Sequence, residues 1–393
     1  MRCITSLRHE PIQNDQGAPR PHAANVQIPI GHLKVDEAFA LGLKHHQAGR
    51  LDEAAGIYNQ LLKVVPEHVD VVHFTGLLRA QTGDLTGAVE LVEKAIALNP
   101  QSAAIRSNLG WVLKRAGQMN EAITTYQKAI ELDPGFIDAH FNLAVLHRDC
   151  GQNEAALVCV EALLALNPNH LKAGYMKAAL TEKLTVRPPE GFVAQIFDEH
   201  ADVFEEQMKV GNSTIPEIVR GAADFYLKDN PGISVPPFTA VLDLGCGTGR
   251  AGEVFRDLTG TLHGVDLSAK MMEQAKAKNL YDKLVLDDFV HFMSECNETF
   301  DLVLSVDAFL YMGPLEDVFE NVARVLNPGG SFGFTVEALE EGDYALRPSC
   351  RHAQSESYIR RLAAANGFRI EICEHIEKLR FDIQGTLFWL VKA

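Results

Sequence analysis

Residues 241–250 of this 393-residue chain read VLDLGCGTGR, and this stretch decides the fold of the second half. An apolar segment leads into Asp243, and glycines follow at every second position, as Gly245, Gly247 and Gly249. Glycine lets the backbone turn tightly and approach a ligand without an intervening side chain. A helix-forming segment comes next, so the stretch predicts a buried strand, a binding turn and a helix.

The spacing of these glycines differs from that of a dinucleotide-binding turn. It is G-x-G-x-G, whereas dinucleotide sites carry G-x-G-x-x-G. In a dinucleotide site the pyrophosphate lies against the start of the helix. A carboxylate at Asp243 would repel that anion, but it suits a ligand that carries an ammonium group. The spacing therefore disfavours an NAD-dependent dehydrogenase.

Apolar segments alternate with helical stretches after this turn. Five segments predict buried strands, at residues 239–245, 261–267, 282–288, 300–307 and 331–337. Two further segments, 368–376 and 385–393, predict a closing hairpin, and two helices, 192–208 and 214–228, are expected before the first strand. This alternation predicts a doubly wound α/β sheet with helices on both faces.

Acidic residues follow the first strands of this sheet, at the end where a ligand lies in such folds. Asp266 is placed to accept hydrogen bonds from two ribose hydroxyls. Asp288 can accept from an adenine amino group, with Phe289 on the ring. Asp287 is the alternative to Asp288, since neighbours in a strand point opposite ways. With Asp243 beside an ammonium group, these acids indicate S-adenosylmethionine.

Residues 190–393 resemble the class I S-adenosylmethionine-dependent methyltransferases. The resemblance rests on VLDLGCGTG (241–249), GVDLSAKMMEQA (264–275), LVLDDF (284–289), FDLVLSVDAFLYM (300–312) and VARVLNPGGSFGFTVE (322–337). It implies a Rossmann-like domain with a seven-stranded, mostly parallel sheet. It also implies a set of cofactor-binding residues: Asp243, Gly245, Gly247, Gly249, Asp266, Leu267, Met271, Asp287, Asp288, Phe289 and Ser305.

Methyl transfer requires an acceptor atom aligned with the methyl group, and a base only where the acceptor loses a proton. Asp307 and Tyr311 follow the fourth strand and should face the pocket. The polar segment 343–358 contains Arg347 and His352, which could hold a carboxylate or phosphate or serve as a base, unless the segment is a solvated surface loop. Asp307, His352 and Tyr311 are therefore the catalytic candidates.

Charge and composition limit the classes of partner that we expect for this protein. The net charge of −16 repels polyanions, and SVDAF (305–309) differs from the Asn-Pro-Pro-Tyr type of sequence used to methylate amino nitrogens, so nucleic acid is not expected. No apolar run is long enough to span a membrane. The seven cysteines are scattered without a C-x-x-C pair, and no residues have metal-ligand spacing. We expect a cytoplasmic protein without a metal site.

The first half of the chain repeats with a period of 34 residues. Four columns keep register: Gly42, Gly76, Gly110 and Ala144; Gly49, Gly83, Gly117 and Gly151; Ala54, Ala88, Ala122 and Ala156; Pro66, Pro100, Pro134 and Pro168. Small residues let two antiparallel helices approach, the second glycine turns the chain, and the proline separates units. This pattern resembles the tetratricopeptide repeat.

Three regions follow from these patterns. Residues 1–30 predict a disordered arm, 35–184 an α-helical solenoid of four repeats and a capping helix, and 190–393 the methyltransferase domain. Repeat arrays of this kind bind a protein segment on a concave face. Aromatic side chains such as His73 and Trp111 could serve there as anchors, or could pack between helices.

Together the two halves predict an S-adenosylmethionine-dependent methyltransferase whose repeats recruit a protein or peptide acceptor. One alternative is O- or N-methylation of a small metabolite, with the repeats used for assembly. Another is a repeat scaffold whose methyltransferase half is inactive. The intact glycines, Asp266 and Asp288 argue against the inactive scaffold.

Overall fold

The structure is a computed structural model that describes residues 33–181, 188–189, 191–210, 214–230, 237–380 and 383–393. The predicted disordered arm lies outside the described residues, as do residues 182–184 at the end of the predicted capping helix. The chain divides into two compact units, Met1–Gly174 and Tyr175–Ala393.

Four helix pairs of constant length form the first unit. They are α1 (Val35–Gln47) and α2 (Leu51–Val64), α3 (Val69–Gln81) and α4 (Leu85–Leu98), α5 (Ala103–Arg115) and α6 (Met119–Leu132), and α7 (Ile137–Asp149) and α8 (Asn153–Leu166), with α9 (Leu171–Leu180) following in the chain. In each pair the first helix has 13 residues and the second 14. The predicted helical repeat is confirmed.

Each column of the repeat has a physical role in the structure. A Cβ atom at Gly42, Gly76 or Gly110 would lie 2.6–2.8 Å from a side chain of the second helix in the pair, so a larger residue does not fit. The four turn glycines have φ between 72° and 97°, the left-handed region that glycine tolerates. The four alanines of the third column are fully buried. Close helix approach thus depends on residue size at these positions.

Polar side chains link the first helices of successive pairs. Each bond joins residues 35 apart: His46 Nε2 to Gln81 Oε1 (2.8 Å), Asn108 Nδ2 to His73 Nε2 (3.0 Å) and Lys114 Nζ to Asp149 Oδ2 (2.6 Å). Burial lowers the pKa of His73 to about 4, so its ring is neutral at pH 7 and can accept from the amide. His73 and Trp111 are both buried, which assigns these two rings to helix packing.

The second unit alternates helices and strands as the sequence predicts. Its elements are α10 (Phe192–Val210), α11 (Ile215–Asp229), β1 (Phe238–Leu244), α12 (Arg250–Phe255), β2 (Thr259–Asp266), α13 (Ala269–Lys278), β3 (Lys283–Leu286), α14 (Phe289–Glu295), β4 (Phe300–Ser305), α15 (Glu316–Val325), β5 (Leu326–Leu339), β6 (Tyr344–Leu346), β7 (His352–Ser355), α16 (Glu356–Ala365), β8 (Phe368–Arg380) and β9 (Ile383–Lys392). Within the described residues, no helix combines the length and the apolar character that crossing a membrane requires.

The sheet is parallel through its first five strands. Strands β3, β2, β1, β4 and β5 pair in parallel in that order, β9 joins β5 antiparallel, and β8 pairs antiparallel with β9. This confirms the predicted mostly parallel sheet with a closing hairpin, but the described sheet has nine strands instead of seven, because β7 and β6 extend it beyond the end of β5. The strand order reverses between β1 and β4, which opens a crevice at the carboxyl ends of the strands.

Two short strands lie where the sequence predicted a polar segment with a surface loop as its alternative. β6 and β7 form an antiparallel pair within residues 343–358, and β7 also pairs in parallel with the end of β5. All four residues of β7, His352 to Ser355, are buried. Strands of three and four residues are too short to show a period, which is why the sequence did not reveal them.

The close approach of the repeat helices can be tested at Gly110. A Cβ there would lie 2.8 Å from the ring of Tyr126, which is itself buried. We expect Gly110→Ala to lower the free energy of unfolding by about 1–3 kcal/mol, because the packed ring must move. Urea denaturation followed by far-ultraviolet circular dichroism measures this change.

Gly174→Ala is the matched control, since no atom lies within 4 Å of a Cβ at this helical glycine. Alanine there should stabilise the protein by about 0.5–1 kcal/mol through lower backbone entropy in the unfolded chain. A Gly110→Ala protein as stable as the wild type would contradict the packing argument.

Candidate active site

A cavity of about 580 Å³ lies at the carboxyl ends of the parallel strands. Nine of the predicted cofactor residues line it: Asp243, Gly245, Gly247, Asp266, Leu267, Met271, Asp287, Asp288 and Phe289. Two of the three catalytic candidates, Asp307 and Tyr311, line it as well. The structure therefore brings most of the predicted site together in one volume typical of small-molecule pockets.

The glycine turn is held against the second strand by backbone hydrogen bonds. The Gly245 amide donates to the carbonyl of Val265 over 2.8 Å, and the Gly247 amide donates to Asp266 Oδ2 over 2.8 Å. Gly245 has φ 71°, and a Cβ there would lie 2.6 Å from the Cβ of Ala308. The loops after β1 and β4 thus touch at a point where only glycine fits.

Asp266 is fixed in place by the backbone around it. Its Oδ1 accepts from the Ser268 amide over 2.8 Å, while Oδ2 accepts from Gly247. Burial raises the pKa of this carboxyl, and the backbone donors oppose the shift. A carboxylate oxygen can accept more than one hydrogen bond, so Asp266 retains capacity for hydroxyl groups of a ligand.

Asp243 has one satisfied and one unsatisfied oxygen. The Tyr281 hydroxyl donates to Oδ2 over 2.7 Å, whereas Oδ1 is buried without a hydrogen-bond partner among the described residues. Burial raises the pKa of Asp243 to about 7, the Tyr281 hydrogen bond lowers it, and the nearby Asp266 raises it. A buried acceptor without a donor is costly, and a ligand ammonium in the cavity would satisfy it.

The Tyr281 ring occupies a slot made by three glycines. A Cβ at Gly249, Gly252 or Gly264 would lie 2.8–3.0 Å from atoms of this ring. The Gly252 amide also donates to the Tyr281 hydroxyl oxygen over 3.2 Å. Gly249 does not line the cavity, and its small size instead makes room for the tyrosine that holds Asp243. No sequence pattern pointed to Tyr281, because it is a single aromatic residue between a helix and a strand.

Asp287 and Asp288 both face the cavity but make different contacts. Asp288 Oδ1 accepts from the amides of Val290 and His291, which caps the start of α14. Asp287 Oδ2 lies 2.9 Å from His291 Nδ1. The preference for Asp288 over Asp287 at the adenine stays a prediction.

Helix α10 contributes an aromatic wall to the cavity. Phe197 and Phe204 line it, seven residues apart on one helix face, with ring centroids 6.2 Å from each other. The Phe197 ring also lies edge-on to Tyr311, with centroids 5.4 Å apart. Both phenylalanines therefore lie in the cavity wall.

Two acids on the same helix fasten α10 to the cofactor loops. Asp198 Oδ1 accepts from the Ser268 hydroxyl over 2.6 Å. Glu205 Oε1 accepts from the Thr248 hydroxyl over 2.5 Å and from Lys278 Nζ over 2.7 Å. Sequence reasoning missed these acids, although their spacing of seven residues matches that of the two phenylalanines.

Asp307 lies at the end of β4 in an unusual backbone conformation. Its φ of 62° is in the left-handed region, which few residues other than glycine adopt. Its amide donates to Thr335 Oγ1 over 3.2 Å. The Gln354 amide holds the following turn by donating to the carbonyls of Met312 and Gly313. Such a conformation persists only where its surroundings fix it, and it often marks a functional site.

Three more of the residues singled out in the sequence, Ser305, His352 and Arg347, do not line the cavity. Ser305 is fully buried in the sheet, where its hydroxyl donates to the carbonyl of Leu244 over 3.3 Å. His352 is fully buried in β7, with the Tyr175 hydroxyl 3.5 Å from its Nδ1. Arg347 also does not line the cavity and donates to the carbonyl of Ala338. His352 therefore does not line the cavity that Asp307 and Tyr311 line.

Cys246 is the remaining reactive group in the glycine turn. Burial raises the pKa of its thiol well above the usual value, so the thiol stays protonated at neutral pH. Its sulfur packs against Gly264, where a Cβ would lie 2.9 Å away. Cys246 therefore packs the turn. No cluster of three metal-ligating side chains occurs within the described residues.

Comparison with known families matches both halves of the chain. A family model described as a methyltransferase domain matches residues 241–330. Models described as TPR or tetratricopeptide repeats match residues 39–103, 112–149 and 137–170. These ranges coincide with the glycine turn and parallel sheet on one side and with the helix pairs on the other.

The curated relatives include several methyltransferases. Malonyl-(acyl-carrier protein) O-methyltransferase of Salmonella typhimurium is 35% identical over 98 residues, which cover 25% of this chain and 39% of that protein. Sterol 24-C-methyltransferase of Schizosaccharomyces pombe is 35% identical over 128 residues, 31% of this chain and 33% of that protein. The chain thus spans less than half the length of either relative.

Solved structures include the magnesium protoporphyrin IX methyltransferase of Synechocystis with bound S-adenosylmethionine. It is 18% identical, covers 47% of this chain and 82% of its own, and has a TM-score of 0.37. The matched family models and the curated relatives carry the assignment. The chain therefore carries tetratricopeptide repeats over residues 39–103 and 112–170, followed by a methyltransferase domain that the family model matches over residues 241–330.

Proposed function

We propose that this protein transfers a methyl group from S-adenosylmethionine to an acceptor held in the cavity, and that its repeats recruit a protein that is, or that delivers, the acceptor. The observation that carries the proposal is Asp243, which lines the cavity and whose buried Oδ1 has no hydrogen-bond donor among the described residues. A cationic ligand group supplies that donor.

The residues of the cavity fit the cofactor group by group. S-adenosylmethionine supplies an activated methyl group on a positively charged sulfur. Asp243 would hold its ammonium group and Asp266 its ribose hydroxyls, while Phe289 and the Asp287–Asp288 pair would hold the adenine. Arg250 lines the same cavity and offers a cation to the cofactor carboxylate.

The acceptor would lie between the loop after β4 and helix α10. Asp307 and Tyr311 supply polar atoms there, and Phe197 covers them from the other side. Asp307 can accept a proton from the attacking group, which a nitrogen or oxygen acceptor must release. Exclusion of water by Phe197 and Phe204 favours transfer to the acceptor over side reactions.

The proposal allows two classes of acceptor that differ in size, a protein or peptide and a small metabolite. Repeat arrays of this type bind protein segments, which favours a protein or peptide. The wall that α10 forms favours a small or slender acceptor, which keeps O- or N-methylation of a metabolite as the second candidate. The Salmonella relative is named for a malonyl group on acyl-carrier protein, and a small group delivered by a protein would engage both units here.

A cytoplasmic location and the absence of a nucleic-acid partner belong to the same proposal. The location is supported by seven scattered cysteines without a C-x-x-C pair, and the exclusion of nucleic acid by the net charge of −16. A scaffold with an inactive methyltransferase half is the competing proposal, and the assembled cavity opposes it.

Cofactor affinity should depend on pH through Asp243. Below its pKa of about 7 the free carboxyl is protonated, and binding of an ammonium group must displace that proton. We expect affinity for S-adenosylmethionine to rise up to about tenfold per pH unit between about pH 5.5 and 7, and to level off above. Isothermal titration calorimetry across this range measures the profile.

Two variants test whether Asp243 and its hydrogen bond from Tyr281 determine how cofactor affinity depends on pH. Asp243→Asn should bind weakly and lose most of the pH dependence. Tyr281→Phe keeps the ring in its slot but removes the donor that lowers the Asp243 pKa, so its profile should move to higher pH. A flat wild-type profile, or one unchanged by Tyr281→Phe, would contradict this role for the pair.

The nature of the acceptor can be tested by transfer of radiolabelled methyl from S-adenosylmethionine into a host-cell extract. We expect label in the protein fraction, which size separation and mass spectrometry would identify. Label only in small molecules would favour the metabolite alternative. Asp266→Asn, which weakens ribose binding, should abolish the labelling and serves as the control. A protein that binds no S-adenosylmethionine would support the inactive scaffold.

A further inference from the structure

We propose that Glu205 on α10 competes with the carboxylate of the cofactor for the Thr248 hydroxyl and for the positive charge of Arg250. A side chain of the protein would then limit the affinity for S-adenosylmethionine and for its demethylated product. This inference rests on the proposed function and concerns the regulation of the same cavity. It gives Glu205 a role beyond that of fastening α10.

The position of the cofactor's carboxylate is the first step. The ammonium and carboxylate groups of the cofactor are attached to one carbon atom, so a cofactor whose ammonium reaches Asp243 brings its carboxylate to the same end of the cavity. Arg250 is the single Lys or Arg among the described residues that line the cavity, and Thr248 lines it as well. Guanidinium and hydroxyl groups both donate to carboxylates, so we expect the cofactor's carboxylate beside these two residues.

Glu205 makes the same interactions in the structure. Its Oε1 accepts from the Thr248 hydroxyl over 2.5 Å and from Lys278 Nζ over 2.7 Å. Burial alone would raise the pKa of Glu205, but the hydrogen bonds from Lys278 and Thr248 and the charges of Lys278 and Arg250 lower it below its usual value. Glu205 is therefore a charged carboxylate at neutral pH, held by groups that a cofactor carboxylate would also use.

The Thr248 hydroxyl can serve only one of the two carboxylates. A hydroxyl has one proton to donate, and Thr248 is buried, so its bond to Glu205 is shielded from water. Two carboxylates near Arg250 also repel each other, and this repulsion is stronger at a partly buried site than in bulk water. Cofactor binding therefore either breaks the bond between Glu205 and Thr248 or brings two negative charges together.

Helix α10 has further attachments that do not depend on Glu205. Asp198 Oδ1 accepts from the Ser268 hydroxyl over 2.6 Å, and Gln274 Nε2 donates to the carbonyl of Ala201 over 2.6 Å. A change of partner at Glu205 therefore does not require α10 to leave the cavity. Competition by the carboxylate and loosening of the helix are distinct effects, and a suitable pair of ligands separates them.

Two ligands that differ by the carboxylate alone test the competition. S-adenosylhomocysteine carries the group, and 5′-(3-aminopropylthio)-5′-deoxyadenosine is the same molecule with a hydrogen atom in its place. Isothermal titration calorimetry measures the dissociation constants of both at about pH 8, above the Asp243 pKa of about 7. The quantity compared between proteins is the affinity for S-adenosylhomocysteine divided by the affinity for the amine.

Glu205→Gln should raise this ratio at least about fivefold over the wild-type value, because the competing charge is removed. Glutamine keeps the size of the side chain, and its amide can donate to a carboxylate of the ligand. An unchanged or lower ratio would overturn the proposal, since Glu205 would then not compete with the ligand's carboxylate. Equal weakening of both ligands is one such outcome, and it would mean that Glu205 only fastens α10.

Glu253→Gln is the matched control. Glu253 Oε1 lies 3.1 Å from the same Lys278 Nζ, and Glu253 does not line the cavity. This variant removes one negative charge and one partner of Lys278, so the ratio should stay within about twofold of the wild-type value. A rise equal to that of Glu205→Gln would assign the effect to overall charge and contradict a specific role for Glu205.

The wild-type protein separates this inference from the proposed function. If it binds neither ligand, the proposed function fails and the inference fails with it. If it binds both ligands and the ratio does not rise in Glu205→Gln, only the inference fails.

Discussion

The hydrogen bond from Tyr281 to Asp243 connects the packing of the sheet to the chemistry of the cavity. The tyrosine ring fills the space left by three glycines on β2, on α12 and at its start, so the strands and the helix come together around it. Its hydroxyl then binds one oxygen of a buried carboxylate, and the other oxygen has no hydrogen-bond partner among the described residues. Tyr281, which packs the strands and the helix together, therefore also positions Asp243, which lines the cavity.

In the repeats, as in the second unit, glycines make room for large side chains. Gly42 and Gly110 accept the rings of Tyr58 and Tyr126, and the pairs then stack through polar bonds between residues one repeat plus one position apart. Hydrogen bonds of this kind are directional, and they fix the register in which one pair meets the next. The array therefore presents a surface of defined geometry to whatever it binds.

Sequence patterns predicted the parts of the structure that repeat or alternate. The period of 34 gave the helix pairs, and the order of the glycine turn and the strand-end acids gave most of the cavity wall. The role of Tyr281 was not predicted, because a single residue shows no periodicity. The roles of Asp198 and Glu205 were not predicted either, because their hydrogen-bond partners are distant in sequence. His352 was placed among the catalytic candidates by its residue type, but short strands bury it away from the cavity.

The attachments of α10 have a kinetic consequence. Helix α10 is bonded through Glu205 to the glycine turn and to α13, and through Asp198 to Ser268 at the start of α13. These are the segments that enclose the proposed cofactor, so ligand exchange requires several bonds on one rigid element to break together. Such a concerted opening is slow relative to single side-chain motions. Turnover in this protein would then be limited by release of the spent cofactor, and the rate at which α10 opens would set the interval between successive reactions.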